Sequence, residues 1–111
     1  MNVGELSHIC GFENVSLERP EKQIKTAYAG DLLSWVMARA GEGSAWLTIM
    51  TNTNVLAVAE LNDISCVIIC EGAELQKGFA ETAALRKINV LRSESPVYET
   101  ALKLGNLLNQ K

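Results

Sequence analysis

The five residues Cys66-Val67-Ile68-Ile69-Cys70 form uninterrupted apolar sequence, bounded by Asn62-Asp63 before and Glu71-Gly72 after. A run this short and this apolar reads as a strand covered on both faces, which calls for helices on either side of a parallel sheet. The flanking sequence supplies them. Upstream, Thr51-Asn52-Thr53-Asn54 leads into 55–61, which is apolar on nearly every side except Glu60 and predicts a largely buried helix. Downstream, a helix is predicted over about 75–87, burying Phe79 and Ala83.

The same order of strand, polar junction and helix recurs along the chain. Residues 24–29 alternate, with Ile24, Thr26 and Tyr28 on one side, and predict a strand. Asp31 then stands where the N-cap of a helix over 32–40 belongs, and Gly41 ends that helix. Residues 46–50 predict a mostly apolar strand and 89–91 a last short one. Ser95 is placed to cap a final helix with Pro96 at its first position and Val97, Ala101, Leu104 and Leu108 as its buried stripe. At the start, Asn2 with Glu5 three residues on is a variant capping box; Val3, Leu6 and Cys10 share one face, His8 lies opposite, and Gly11 is the stop. Residues 13–17 predict a short strand with Val15 and Leu17 on one side, followed by a polar turn around Pro20. The order αββαβαβαβα predicts a single α/β domain, residues 1–111, with a mainly parallel sheet of about five strands and helices packed on it.

Charge and composition narrow the function. The 111 residues carry 10 Lys and Arg against 13 Asp and Glu, a net charge of −3. That argues against a nucleic-acid binder, which needs a basic face, and against a polybasic membrane anchor. The apolar runs are far too short to span a bilayer and the first ten residues lack the form of a secretory signal, so a cytoplasmic location is expected. Three cysteines in that compartment are expected to stay reduced. Cys66 and Cys70, four residues apart on a strand and so roughly 13 Å from each other, cannot share a metal and pack as small hydrophobes.

In an open parallel sheet, ligands bind at the carboxyl ends of the strands. Four polar junctions would share that rim: Gly30-Asp31, Thr51 to Asn54, Glu71-Gly72 and Ser93-Glu94-Ser95. The helix starts beside them offer free N–H groups to a small anion or a nucleotide phosphate. The candidate ligand-binding residues are therefore Gly30, Asp31, Thr51, Asn52, Asn54, Glu71 and Gly72. Taken singly, Asp31, Asn52 or Thr53, and Ser95 are ordinary helix caps. Asp31, Glu71 and Glu94 also make the rim acidic, which a divalent cation would reconcile with an anionic ligand, although nothing in the sequence demands one. No catalytic residue, metal ligand or named cofactor emerges: the G-x-x-x-x-G-K-[ST], G-x-G-x-x-G and G-x-S-x-G patterns are absent, and His8 has no nucleophile placed beside it. Trp35, Met37 and Trp46 read most simply as core. Yet Leu32, Leu33, Trp35, Val36 and Met37 are more apolar residues than one stripe needs, so Trp35 and Met37 are candidates for a subunit interface.

Several segments resemble the stand-alone DRTGG domain proteins. They are Tyr28-Ala29-Gly30-Asp31-Leu32-Leu33-Ser34-Trp35-Val36-Met37, Gly43-Ser44-Ala45-Trp46-Leu47-Thr48-Ile49, Thr51-Asn52-Thr53-Asn54-Val55 and Ala57-Val58-Ala59. Val67-Ile68-Ile69 with Glu71-Gly72, and Ile88-Asn89-Val90-Leu91, fit as well. The resemblance covers nearly the whole chain. It implies an α/β fold similar to the N-terminal domain of HPr kinase/phosphorylase, which is distinct from that protein's kinase domain. It also implies a regulatory or dimer-forming role, as in DRTGG domains beside CBS domains in regulatory pyrophosphatases. Stand-alone members occur near iron-hydrogenase components. The sequence departs from the family's naming motif, of which only Thr26 and Gly30 stand as remnants in Glu21 to Gly30.

The resulting expectation is a non-catalytic regulatory or assembly module, a homodimer that takes a small anionic or nucleotide ligand at the rim. One alternative is an accessory subunit of a larger redox system of the hydrogenase type. The other is a small enzyme using Asp31 or Glu71 as acid or base.

Overall fold

The computed structural model describes residues 1–109. Its elements are α1 (Val3–Cys10), β1 (Glu13–Ser16), β2 (Thr26–Ala29), α2 (Leu33–Arg39), β3 (Ser44–Thr48), α3 (Asn54–Leu61), β4 (Cys66–Ile69), α4 (Phe79–Leu85), β5 (Val90–Arg92) and α5 (Val97–Leu108). They build one five-stranded sheet in the order β1-β5-β4-β3-β2. Strands β2 to β5 run parallel and β1 runs antiparallel to β5.

The sheet is covered on both faces, as the apolar run over 66–70 required. Alternate residues of β3, β4 and β5 enter opposite cores. Trp46, Val67, Ile69 and Val90 join Val36, Val55, Leu56 and Phe79 in one cluster, beneath α2, α3 and α4. Ala45, Leu47, Cys66, Ile68 and Leu91 join Val3, Leu6 and Leu104 in the other, beneath α1 and α5. All four residues of β4 are fully buried, which fits its central position. Each of its aliphatic side chains contributes about 1.5–3 kcal/mol by leaving water.

Strand β1 differs from the expected single-sided strand. Asn14 pairs with Leu91 and Ser16 with Val90, so Val15 is an extra residue in a bulge. One inserted residue reverses the alternation that follows. Val15 accordingly packs on the α2–α4 side and Leu17 on the α1–α5 side. Helix α4 begins at Phe79, four residues later than expected, because Gly78 sits at φ 86 and breaks the helical path. Strand β3 lies two residues earlier than expected, at Ser44–Thr48.

The segment between β1 and β2 crosses the sheet beneath the amino ends of its strands. Asn89, buried at the start of β5, receives the Arg19 N–H at 2.9 Å and donates to the Arg19 carbonyl at 2.6 Å. Ser65 Oγ, before β4, donates to the Gln23 carbonyl at 2.5 Å, and the Lys25 N–H donates to the Gly43 carbonyl at 2.9 Å, before β3. The strap also satisfies the exposed first amides of α1: Val3 N–H donates to Lys22 and Gly4 N–H to Pro20, each at 3.0 Å. The predicted capping box is present, with both Asn2–Glu5 bonds at 2.8 Å.

Candidate functional site

Because β2 to β5 are parallel, their four carboxyl ends and following junctions lie on one edge of the sheet. Hydrogen bonds tie the candidate residues to the neighbouring strand ends and loops. Asp31, after β2, is not the cap of α2: that position is Leu32, in extended conformation with no side-chain bond. The Asp31 carboxylate instead accepts the Thr48 hydroxyl at 2.6 Å and the Ile49 N–H at 3.0 Å, tying the tip of β2 to the tip of β3. Gly30 reinforces the same seam, since its N–H donates to Leu47 at 3.1 Å and its carbonyl accepts Trp46 Nε1 at 2.9 Å. The physical reason is availability: the amide after β3 is next to Asp31, while α2 starts one extended residue farther on.

Glu71 and Gly72, after β4, lie against the junction after β5. Their N–H groups donate to the Ser95 and Ser93 carbonyls, both at 2.9 Å. The Glu71 carboxylate accepts the Val97 N–H at 3.0 Å, so it caps α5 from 26 residues away. This overturns Ser95 as the cap; the N-cap residue is Pro96, which has no side-chain acceptor, and Pro96 is not inside the helix. Both Glu71 and Gly72 have positive φ, 65° and 59°.

Thr51 is buried and its hydroxyl donates to the Glu74 carbonyl at 3.0 Å, joining the junction after β3 to the loop after β4. Asn52 Oδ1 accepts the Asn54 N–H at 3.0 Å, an Asx turn that starts α3. Asp31 and Glu71 converge electrostatically on Cys70, at the tip of β4. Burial pushes that thiol up to about 11, the Thr100 hydrogen bond opposes the shift, and Glu71 and Asp31 add to it. The junctions are thus linked to their neighbours through bonds that run mainly from the candidates to other residues, and among the described residues Asn52 to Asn54 is the one hydrogen bond between two of the seven.

A cavity of about 350 Å³ opens at the β5 end of this rim. It is lined by Arg92, Ser93, Glu94 and Ser95 together with Cys10 and Lys103, and by none of the seven candidates. Sequence reasoning passed over Arg92, which organises this corner. Its guanidinium donates to the Ala73 carbonyl at 2.9 Å and to the Gly72 carbonyl at 2.6 Å, and reaches Glu13 at 3.2 Å and Glu94 at 3.3 Å. The signal was there to read: Arg92 is a single cation at the end of a strand, between apolar Leu91 and the polar junction.

The tryptophans separate. Trp46 is fully buried, whereas Trp35 is 52% exposed and Met37 48% exposed. Helix α2 fully buries only Val36 among its residues. Arg39 lies over the Trp35 ring, 3.9 Å from its centroid, a cation–π contact. Leu32 and Ile49 are also exposed, and β2 is an outer strand of the sheet. Among the described residues no helix is long and apolar enough to cross a membrane.

No family model matches this sequence, and no curated protein matches it either. The fold does have a counterpart. The CBS and DRTGG domains of the regulatory region of Clostridium perfringens pyrophosphatase, solved in complex with the activator diadenosine tetraphosphate, match with a TM-score of 0.69 at 16% identity. The match covers 93% of this chain and 45% of that chain, so the present chain spans less than half of that region. The chain therefore has the α/β fold found in a CBS- and DRTGG-containing regulatory region.

Proposed function

We propose that this chain is a regulatory or assembly module that performs no bond chemistry, in the manner of a DRTGG domain similar to the N-terminal domain of HPr kinase/phosphorylase. It pairs with a second copy and takes a small anionic or nucleotide ligand at the rim built by Gly30, Asp31, Thr51, Asn52, Asn54, Glu71 and Gly72. The observation that carries this reading is the commitment of the two carboxylates among these seven residues, Asp31 and Glu71. Asp31 holds a hydroxyl and an amide, and Glu71 holds the first amide of α5. A general acid or base must reach the substrate's proton. These two groups instead set the shape of a surface, which suits recognition better than proton transfer. The likeness to a regulatory region supports the same reading.

Thermal denaturation against nucleotides and acyl phosphates, with and without Mg²⁺, tests the ligand. A ligand that binds only the folded chain raises its melting temperature, and a flat response to every compound would remove the ligand from the proposal. Light scattering after size exclusion tests the dimer, which Trp35→Ala and Met37→Ala should weaken with the fold intact. Turnover abolished by Asp31→Asn or Glu71→Gln in a folded chain would replace this reading with the acid–base enzyme.

The exposed Trp35 also favours a second reading, an accessory subunit docking on a larger redox enzyme of the hydrogenase type. Pull-down from the native cell discriminates the two: loss of a specific partner with Trp35→Ala, in a chain that stays monomeric, favours the accessory role.

A further inference from the structure

The opposite end of the sheet holds half of the chain's basic residues. A cleft of about 180 Å³ lies between the strap and the carboxyl ends of α3 and α4, floored by Ile64 and Ile88 and walled by Arg19, Lys22, Arg86 and Lys87. A second hollow of about 170 Å³ continues past Lys22 to Lys25. Together they hold five of the ten Lys and Arg but only three of the 13 acids, Glu42, Glu60 and Asp63. The residues lining the two hollows therefore sum to +2 in a chain whose total is −3, while Glu18 and Glu21 on the same strap line neither hollow. A concave surface of one sign focuses its field and draws in counter-ions.

Three of these cations have acidic partners. Lys22 Nζ sits 2.6 Å from Asp63, Arg86 lies 3.7 Å from Glu60, and Lys25 pairs with Glu42. Among the described residues, the side chains of Arg19 and Lys87 make no hydrogen bond and no ion pair, although both line the cleft. The backbone adds a separate observation. Asp63 and Lys87 are held at φ 52° and 57°, each one residue past the cap of its helix, where glycine is the unstrained choice. Both positions line the same cleft, Lys87 as a cation and Asp63 as the carboxylate that pairs with Lys22.

We propose that this cleft is a binding site for a small, multiply charged anion of the pyrophosphate or phosphate-ester class, with Arg19 and Lys87 as its principal donors and Lys22 and Arg86 flanking them. The site is independent of the rim, which lies at the other end of the strands. Inorganic pyrophosphate is the probe, titrated into the full chain at low salt and followed by amide chemical shifts and calorimetry. The expected result is shifts at Ile64, Ile88 and Asn89, and an affinity that falls as salt rises.

Lys87→Gly removes one donor while relieving the positive φ, so its melting temperature should not fall. Arg19→Gln removes the other while keeping the backbone bonds to Asn89. Each should lower the affinity about tenfold, the scale of one charged hydrogen bond. Lys77→Gln, outside the cleft, should change nothing. The proposal is overturned if pyrophosphate leaves these amides unmoved, if Lys87→Gly and Arg19→Gln both bind as the parent does, or if Lys77→Gln loses as much. Shifts at Asn52 and Gly72 instead would assign the anion to the rim and equally overturn the cleft.

Discussion

Asp31 makes the sharpest quantitative test of how the rim is held. One carboxylate oxygen accepts the Thr48 hydroxyl at 2.6 Å and the Ile49 N–H at 3.0 Å. Asp31→Ala removes both bonds at once. Thr48 is 1% exposed, so its hydroxyl cannot recover a water without opening the end of β3. The Ile49 amide is at the surface, and solvent replaces much of its loss. A hydrogen bond to a charged group contributes about 1.5–3 kcal/mol. With the exposed amide discounted, the expected cost is about 2 kcal/mol, a fall in melting temperature of about 8 °C for a domain of this size. Asp31→Asn keeps an oxygen acceptor and should cost about 1 kcal/mol. Thr48→Val attacks the same bond from the other side and also strips the Met50 N–H of its acceptor at 3.2 Å. Urea denaturation of the two single variants and the double variant should give a coupling of about 1 kcal/mol. Full additivity, or an Asp31→Ala chain as stable as the parent, would refute the idea that this carboxylate fastens β2 to β3.

Three other perturbations have defined signs. Asn62 Nδ2 reaches the carbonyls of Val36, Met37 and Ala40 at 3.2, 3.0 and 2.8 Å, capping α2 from the end of α3, so Asn62→Ala should lower stability by about 1–2 kcal/mol in urea denaturation. Ser16 Oγ is buried with no partner among the described residues, and Ser16→Ala should raise the urea midpoint by an amount worth about 1 kcal/mol. Burial pushes the Cys66 thiol up to about 12 from an ordinary 9.0, so the folded chain favours the neutral thiol. That contribution is complete below pH 9 and is lost as pH rises toward 12, so melting temperature should fall across that window less steeply in Cys66→Ala than in the parent.

The fold was legible wherever the deciding interaction is short in sequence. The Asn2–Glu5 capping box closes within three residues, and Gly11 takes the left-handed conformation that ends α1. The apolar run at β4 needs no partner's identity to announce that it is covered twice. Expectations failed where two distant segments competed for one group. Asp31 and Ser95 have the chemistry of N-caps, yet Asp31 is captured by the end of β3 and α5 is capped by Glu71. A cap residue specifies an acceptor; which amide lies within reach of it depends on how the strands align. The same holds for Trp35: its helix has apolar residues on more than one side, and only the placement of α2 at the outer β2 strand leaves that ring at the surface.

By itself, the pattern of residues determined an α/β domain whose parallel strands end in polar junctions on a common edge, because hydrophobic periodicity and local turn chemistry act over a few residues. Tertiary structure alone decided that β1 enters antiparallel through a bulge, that Arg92 ties the loops after β4 to β5, and that Arg19, Lys22, Arg86 and Lys87 meet in one cleft. Those cations come from a strap and a helix end more than sixty residues apart in sequence. Long-range electrostatics depends on distance through space, and the order of strands in the sheet sets that distance.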